Sequence, residues 1–222
     1  MSSQPESRAD ADDPLRAAAD TMHAVRERCV WSQQITHRDL VPYLIEESHE
    51  VIDAVEAGTR DDLREELGDL LWQVLFHAAI AAQHPDDPFD IDDVARTLTE
   101  KMVRRHPHVF AGEVAETPEQ VLVHWNAAKA AEKRTRSSVL DGVPRGMPAL
   151  ALAQKLAGRA AGAGVTVAPV PSSAEPESEA ELGQALLALV STARAKGWDA
   201  ERALRERLRM LEDDVRAAEA AS

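Results

Sequence analysis

Two clusters of acidic residues lie on consecutive segments, within residues 44–75, that both have the apolar spacing of an amphipathic α-helix. Residues three or four apart on a helix share a face, with about 5–6 Å between their Cβ atoms. Each cluster is therefore predicted to lie on one helix face. The acidic residues are Glu46, Glu47 and Glu50 on the first segment, and Glu66 and Asp69 on the second.

The sequence between the two clusters is typical of a tight turn between helices. Gly58 is a common residue just after a helix, and Thr59 followed by Asp62 is the pattern of a capping box at the start of the next one. Because a short turn makes its two helices pack antiparallel, the carboxylates of the first helix should face those of the second.

Such a convergence of carboxylates requires a compensating group. Two like charges about 4 Å apart repel by roughly 4 kcal/mol at an effective dielectric constant near 20. Glu66 and Asp69 adjoin Leu67 and Leu70 at the margin of the apolar stripe, where an acid needs a partner. Oxygen ligands favour Mg²⁺, with Mn²⁺ as a substitute, over zinc. The alternative is a solvated acidic helix face, which a chain with 39 Asp and Glu residues also produces.

Composition and charge narrow the class of protein. The chain has 222 residues, of which only 4% are aromatic, and its many Ala and Leu residues favour helix over strand. The net charge of −14 disfavours nucleic acid and anionic membranes as partners. Cys29 is the single cysteine, and neither a secretory signal nor an apolar run of about 20 residues is present, so a cytoplasmic protein is expected.

Periodicity and helix-breaking residues predict an all-α fold, an antiparallel helical bundle. Residues 29–37 are predicted to form a loop before the helix with the first acidic cluster. The other helices are predicted at about 14–28, 60–83, 90–105, 118–134, 148–161 and 199–220.

The acidic pattern resembles a family signature. Glu-Glu-x-x-Glu, fifteen intervening residues and then Glu-x-x-Asp are similar to the motif of the MazG nucleoside triphosphate pyrophosphohydrolases, which belong to an all-α NTP pyrophosphatase superfamily. The similarity extends from about Leu15 to Gln154. It includes Cys29–His37, which resembles the family's Cys-Pro-Trp-Asp…Gln-Thr loop, although Val30 replaces the proline and Ser32 the aspartate.

A basic segment, Lys-Met-Val-Arg-Arg-His-Pro-His-Val-Phe over residues 101–110, also resembles a motif of this family. The resemblance implies that Lys101 and Arg105 bind phosphate, and a compact basic group is what a triphosphate requires in so acidic a chain. The alternative is that these cations complement the dipole of the helix C-terminus. His106 and His108 are interpreted as structural, with metal ligation as the alternative.

Two tryptophans are candidates for contacts with the nucleotide. Trp125 and Lys129 are similar to the Trp-x-x-x-Lys element that completes the family's nucleotide site. Trp31 lies in the loop that borders the nucleotide pocket in the family, which makes it a candidate for stacking on the base. For each tryptophan the alternative is a packed core residue, with Lys129 solvated.

The resemblance also implies the reaction. Water would attack the α-phosphorus of an NTP or dNTP, releasing pyrophosphate and a nucleoside monophosphate, and the cellular role would be nucleotide-pool sanitation. The cation would stabilise developing charge and help to position the water, while basic residues neutralise the remaining phosphate charge. Glu46 is predicted to orient the attacking water as a base, or to lie behind the metal ligands without binding the metal itself. The predicted metal ligands are Glu47, Glu50, Glu66 and Asp69, and the predicted basic residues are Lys101, Arg105 and Lys129.

Other functional classes fit parts of the sequence. Glu46-x-x-His49 is half of the di-iron pattern of four-helix bundles, but no second copy occurs in helical context. A non-catalytic helical dimer that binds nucleotide or a partner protein is the main alternative to an enzyme. A P-loop ATPase is excluded because no Gly-x-x-x-x-Gly-Lys-Ser/Thr motif is present. Helices of the superfamily usually assemble across subunits, so a homodimer or larger homo-oligomer is expected.

The C-terminal part contains a degraded copy of the second acidic segment. Residues 181–184 (Glu-Leu-Gly-Gln) repeat residues 66–69 (Glu-Leu-Gly-Asp), but Gln184 replaces the aspartate and no Glu-Glu-x-x-Glu precedes them. This half is therefore predicted to be catalytically inactive and to serve packing or dimerisation. The predicted organisation is a disordered tail (1–12), a catalytic MazG-like helical domain (13–136), a connecting loop and helix (137–161), a flexible linker (162–180) and a degenerate half-repeat (181–222).

Overall fold

The computed structural model describes residues 13–132, 138–165 and 176–220. All regular secondary structure in these ranges is helical, which confirms the all-α prediction. Helices are present at each predicted place within the described residues, α2 and α6 lie where no helix was predicted, and α9 lies over the predicted half-repeat. The helices are α1 (Pro14–Arg28), α2 (Val30–Gln34), α3 (Val41–Glu56), α4 (Arg60–Ala81), α5 (Ile91–Arg105), α6 (Pro107–Phe110), α7 (Pro118–Ala131), α8 (Ala149–Gly162), α9 (Glu179–Ala195) and α10 (Ala200–Ala220).

The chain divides into two compact units, with the boundary between Lys129 and Ala130. Helix α8, which was predicted as part of a connection, belongs to the second unit and packs against α9 and α10. The tail predicted over residues 1–12, and residues 133–137 and 166–175 of the predicted domain end and linker, lie outside the described residues. The domain boundaries given above stay predictions.

In the first unit, α3 and α4 form an antiparallel hairpin, because only residues 57–59 separate these extensively packed helices. A Cβ atom on Gly58 would lie 2.7 Å from the Cα of Ala54, so the turn requires glycine. The Thr59 hydroxyl accepts a hydrogen bond from the Asp62 N–H at 3.2 Å, and the Asp62 carboxylate accepts one from the Thr59 N–H at 2.7 Å. The predicted turn and capping box are confirmed.

A small apolar core holds this hairpin against α1. Met22, Leu40, Leu75 and Phe76 are each no more than 5% exposed. Leu75 and Phe76 follow Asp69 by about two helical turns, so the core anchors the helix that carries two of the predicted metal ligands. The partly buried residues around the core are Ala18, Ala19, Ile35, Leu71, Trp72, Ala79, Ile80 and Ile91.

The segment predicted as a loop, residues 29–37, contains helix α2, so the loop prediction was wrong for part of it. Ser32 is fully buried, and its hydroxyl donates to the carbonyl of Val25 at 2.7 Å. The buried guanidinium of Arg26 donates to the carbonyls of Ser32 and Ile35. Hydrogen bonds to α1 therefore order this segment, and local spacing does not reveal them.

In the second unit, a polar side of α10 contacts α8, whereas the apolar side of α10 is exposed to solvent. Glu201 accepts a hydrogen bond from the Ala151 N–H of α8 at 3.1 Å. The exposed residues, which we call the α10 stripe, are each between 46% and 52% exposed. They are Leu204, Leu208, Leu211 and Val215.

Among the described residues, no helix combines the length and the apolar character that crossing a membrane would require.

Candidate metal and nucleotide site

The α3–α4 hairpin brings three of the four predicted metal ligands together. Glu47 of α3 and Glu66 and Asp69 of α4 each offer a carboxylate oxygen within 4.8 Å of the other two. Glu50 lies one turn beyond Glu47 on α3, close enough to raise the pKa of Glu47. The four carboxylates that the sequence analysis proposed as ligands thus adjoin one another.

The surroundings of Glu47 and Glu66 raise their proton affinity. Partial burial raises the pKa of Glu47, and the hydrogen bond with Glu50 and the charge of Asp69 raise it further. Partial desolvation also raises the pKa of Glu66, together with the charges of Glu50 and Asp69. Burial and the neighbouring negative charges therefore make Glu47 and Glu66 bind a proton more readily than isolated carboxylates do, and a cation placed among the carboxylates would relieve the same repulsion.

The residues present fit a divalent cation with oxygen ligands. Carboxylates at this spacing match the preference of Mg²⁺ and Mn²⁺ for oxygen, and among the described residues this group is the one with such spacing. Gln73 lies one turn beyond Asp69 on α4, is 5% exposed and has a buried amide oxygen without a hydrogen-bond partner. A buried, unpartnered acceptor beside the carboxylates is consistent with a site that binds a hydrated cation.

Two further candidate residues of α3, Glu46 and His49, are not part of the carboxylate group. Glu46 precedes Glu47 on α3 and is exposed to solvent, so its predicted part in orienting water stays a prediction. The His49 ring nitrogen Nδ1 lies 2.7 Å from the Ile45 carbonyl of the same helix. This contact occupies a nitrogen of His49 with the backbone and gives no support to the di-iron alternative.

The basic residues of α5 lie on a helix that packs against α4. Lys101 is partly buried in a depression of about 480 Å³, whose apolar lining includes Phe89, Val94 and Leu98. An ammonium group at the edge of an apolar surface is an arrangement that suits a ligand with a phosphate and a flat ring.

Arg105 and Trp125, both predicted to contact substrate, meet each other. The Arg105 guanidinium carbon lies 4.9 Å from the centre of the Trp125 ring, within the range of a cation–π contact. His106 packs edge-to-face on the same ring, with the ring centres 5.2 Å apart. These contacts link the end of α5 to α7, the helix on which partly buried Lys129 also lies.

Trp31 is neither a core residue nor isolated. It is 53% exposed and makes edge-to-face contacts with Tyr43, at 6.3 Å between ring centres, and with Phe76, at 6.2 Å. An aromatic side chain that is half exposed and held by two others offers an ordered apolar surface to a planar ligand.

Sequence reasoning missed a histidine pair beside this aromatic group. The Nδ1 atoms of His37 and His77 lie 2.8 Å apart, and their rings are stacked. Burial lowers the pKa of His77, and the neighbouring His37 lowers it further. His77 lies on α4 eight residues after Asp69, and this position on the helix that carries two acidic residues was the available sequence signal.

A second group, around His108, was interpreted from sequence as structural. The His108 ring stacks on His124 with 6.0 Å between ring centres, and His124 Nδ1 lies 2.7 Å from a carboxylate oxygen of Glu113. These contacts hold the segment between α6 and α7 in place, and the Glu113 carboxylate occupies Nδ1 of His124.

Comparison with known proteins gives the family. Residues 35–110 match the family model described as MazG nucleotide pyrophosphohydrolase domain. The nucleoside triphosphate pyrophosphohydrolase of Escherichia coli K12 is 37% identical to the chain over 86% of this chain and 80% of that protein. The chain belongs to the MazG nucleotide pyrophosphohydrolase family. The predicted resemblance is confirmed.

Two other similar proteins differ in how much of their own length the match covers. An uncharacterised 26.1 kDa protein of Streptomyces cacaoi is 52% identical over 92% of this chain and 82% of its own length. The nucleoside triphosphate pyrophosphohydrolase of Mycolicibacterium smegmatis is 46% identical over 78% of this chain, but the match spans only 56% of that protein.

The MazG match contains the acidic residues of α3 and α4 and the basic residues Lys101 and Arg105 of α5. Trp31, Trp125 and Lys129 lie outside the matched residues 35–110. The match therefore assigns the domain, whereas the roles of individual side chains depend on their positions in the structure.

Proposed function

We propose that this MazG-family protein is a metal-dependent nucleoside triphosphate pyrophosphohydrolase. The observation that supports it most directly is the convergence of the Glu47, Glu66 and Asp69 carboxylates, with Glu50 adjoining, inside the segment that matches the family. The reaction would convert an NTP or dNTP and water to pyrophosphate and the monophosphate, and its setting would be nucleotide-pool sanitation in the cytoplasm.

The four carboxylates Glu47, Glu50, Glu66 and Asp69 would hold Mg²⁺. When bound, the cation stabilises negative charge that develops on the phosphate and helps to position water. The crowded, partly desolvated carboxylates supply a negative pocket that attracts the cation and would repel a bare triphosphate. The pocket is thus suited to a metal–nucleotide complex.

The remaining residues would bind and orient the nucleotide. Lys101 and Arg105, with Lys129, would neutralise phosphate charge, and stacking on Trp125 restricts the Arg105 guanidinium to few orientations. The half-exposed ring of Trp31 would stack on the base. Exposed Glu46 would accept a hydrogen bond from the attacking water and so orient it.

Hydrolysis of a panel of NTPs and dNTPs with Mg²⁺, with pyrophosphate resolved from orthophosphate, tests this proposal. The wild type should release pyrophosphate and monophosphate, and Glu50→Gln should lose this activity because it removes a ligand charge. Gln184→Asn, in the second unit, is the matched control and should retain it. Orthophosphate and diphosphate as products would contradict attack at the α-phosphorus, and metal–nucleotide binding without turnover would favour the non-catalytic alternative.

We also infer that two copies associate through the α10 stripe. Its residues 204, 208, 211 and 215 alternate spacings of four and three, the pattern of a coiled-coil seam. Charges of both signs flank the stripe, with Arg202 near Glu206 and Arg216 near Glu212. The flanks of a second copy would therefore not repel those of the first through like charges. A continuous apolar helix face of this length is typical of an interaction surface.

Sedimentation velocity tests this assembly. The wild type should sediment as a dimer or a larger oligomer, and Leu208→Glu should sediment as a monomer because it places a charge in the apolar seam. Glu206→Gln, which leaves the stripe intact, is the control. Equal sedimentation coefficients for wild type and Leu208→Glu would contradict association through the α10 stripe.

A further inference from the structure

Gln73 is a buried polar residue that the reaction outlined above does not use. It lies on α4 four residues after Asp69 and is 5% exposed. Its amide Nε2 lies 3.4 Å from Oε1 of Glu47, across the α3–α4 contact. Its amide oxygen is buried and has no hydrogen-bond partner.

The orientation of this amide follows from the chemistry of its neighbour. A carboxylate only accepts hydrogen bonds, so the NH₂ group of Gln73, rather than its oxygen, must face Glu47. This orientation leaves the amide oxygen as an acceptor without a donor. A buried polar atom without a partner destabilises the folded protein, whereas an apolar side chain of the same shape would avoid that cost.

The second unit contains a natural comparison for this position. In the alignment that pairs residues 66–69 with 181–184, Gln73 corresponds to Ala188 and Leu75 to Val190. The two α9 residues are buried, at 9% and 2% exposed, like their α4 counterparts. An apolar residue therefore satisfies packing at this position, and α4 has an amide only where the carboxylate cluster is present.

We propose that Gln73 is a positioning residue that orients the Glu47 carboxylate for metal binding, an inference that rests on the proposed metal-dependent function. The N–H of Gln73 holds one oxygen of Glu47 and so restricts the carboxylate to the orientation in which it approaches Glu66 and Asp69. The free amide oxygen of Gln73 is available to a donor such as a water that hydrates the cation. Hydrogen bonds from residues around the ligands fix ligand orientation and raise metal affinity.

Titration of the metal-free, full-length protein with Mn²⁺ tests this role without any nucleotide. Gln73→Met keeps the length and buried volume of the side chain but removes the donor and the unpartnered oxygen. Its dissociation constant for Mn²⁺ should be about 10-fold higher than that of the wild type. Its melting temperature without metal should be equal or higher, because a buried unpartnered atom has been removed. Val74→Met, at the neighbouring exposed position of α4, is the matched control and should bind Mn²⁺ like the wild type.

A second readout separates positioning from direct catalysis. If Gln73 acts through Glu47, the Mg²⁺ concentration for half-maximal hydrolysis should rise about 10-fold in Gln73→Met, whereas kcat at saturating Mg²⁺ should return close to the wild-type value. A kcat that stays low at saturating Mg²⁺ would overturn positioning in favour of contact with the reacting groups.

Equal Mn²⁺ affinity in Gln73→Met and wild type would also overturn the proposal. If Gln73→Met does not fold, Gln73→Ala provides the test, because α9 carries alanine at the equivalent buried position. Failure of the proposed function gives a different result. In that case the wild type binds Mn²⁺ but hydrolyses no nucleotide, and the comparison of Mn²⁺ affinities still decides the role of Gln73.

Discussion

Helices α4 and α9 carry the same sequence pattern but use it differently. Glu66 lies in the second turn of α4, where it meets Glu47 and Asp69 across and along the hairpin. The equivalent Glu181 lies in the first turn of α9, where its carboxylate accepts a hydrogen bond from the Glu177 N–H at 2.9 Å and its own N–H donates to Ser178. In α9 the glutamate therefore completes the start of the helix.

The helices that precede α4 and α9 also differ. Helix α3 brings Glu47 and Glu50 to the acidic residues of α4, whereas α8, which packs against α9, contains no acidic residue. A cation site of this type needs carboxylates from two helices, so a repeated motif on one helix is insufficient. In the second unit, α9 therefore has the short motif without a partner helix that supplies carboxylates.

The largest expected effect comes from making α4 resemble α9. Asp69→Asn removes a ligand charge at the position where α9 has Gln184, and kcat/KM for NTP hydrolysis should fall about 100- to 1000-fold. Steady-state pyrophosphate release measures it. Gln184→Asp in the wild type should leave kcat/KM unchanged, because α8 offers no carboxylates, and a gain of activity there would contradict an inactive second unit.

Loss of a phosphate contact should have a smaller effect. Arg105→Ala removes a charge-assisted contact of about 1.5–3 kcal/mol, so kcat/KM should fall roughly 10- to 100-fold. Mn²⁺ affinity should not change, because Arg105 is not among the carboxylates. Arg194→Ala, which changes an arginine of the second unit, is the control in the same assays. An equal loss of kcat/KM in both variants would contradict phosphate binding by Arg105.

The pH dependence of stability should distinguish the carboxylates of the α3–α4 hairpin from the glutamate at the start of α9. The pKa values of Glu47 and Glu66 are raised in the folded protein above the ordinary value of 4.5. The native state therefore binds more protons than the unfolded state in the window from 4.5 up to the raised values, and this contribution to stability is lost as pH rises through that window. Metal binding should oppose the loss, since Mn²⁺ binds the ionised carboxylates.

Melting temperatures of metal-free wild type and Glu47→Gln, measured between pH 5 and 7.5, test this effect. The advantage of Glu47→Gln over wild type should grow with pH and should disappear when Mn²⁺ is added. Glu181→Gln, whose parent residue caps α9, is the matched control and should show no Mn²⁺-dependent change. A constant difference between Glu47→Gln and wild type at all pH values would contradict the raised pKa of Glu47.

The smallest effect should come from the helix caps. Thr59→Ala and Ser178→Ala each remove a side-chain acceptor at a helix start and should each lower the free energy of unfolding by about 1 kcal/mol. Only Thr59→Ala should also weaken Mn²⁺ binding, because it lies at the hairpin turn of the cluster. Chemical denaturation and Mn²⁺ titration measure the two quantities, and an equal loss of Mn²⁺ affinity in both would contradict the separation of roles.

Much of the site could be predicted because its signals are local. The spacing of Glu47 and Glu50, and of Glu66 and Asp69, places each pair on one face of a helix, and Gly58 limits the turn between them. The contact of Arg105 with Trp125 was not predictable, because it joins two helices whose relative position depends on α6. The hydrogen bond of Gln73 was missed for a similar reason, since nothing in the spacing along α4 shows that an amide is buried against α3.

The sequence by itself determined the helical class, the hairpin with its Thr59–Asp62 capping box, and which carboxylates share a helix face. These features depend on residues within one or two turns of each other, and the physics of helix periodicity and capping acts over that distance. The tertiary structure alone decided that Ser32 and Arg26 order α2, that Gln73 reaches Glu47, and that α10 leaves its apolar stripe exposed. These features depend on which helix packs against which, and an amphipathic pattern specifies a face without specifying its partner.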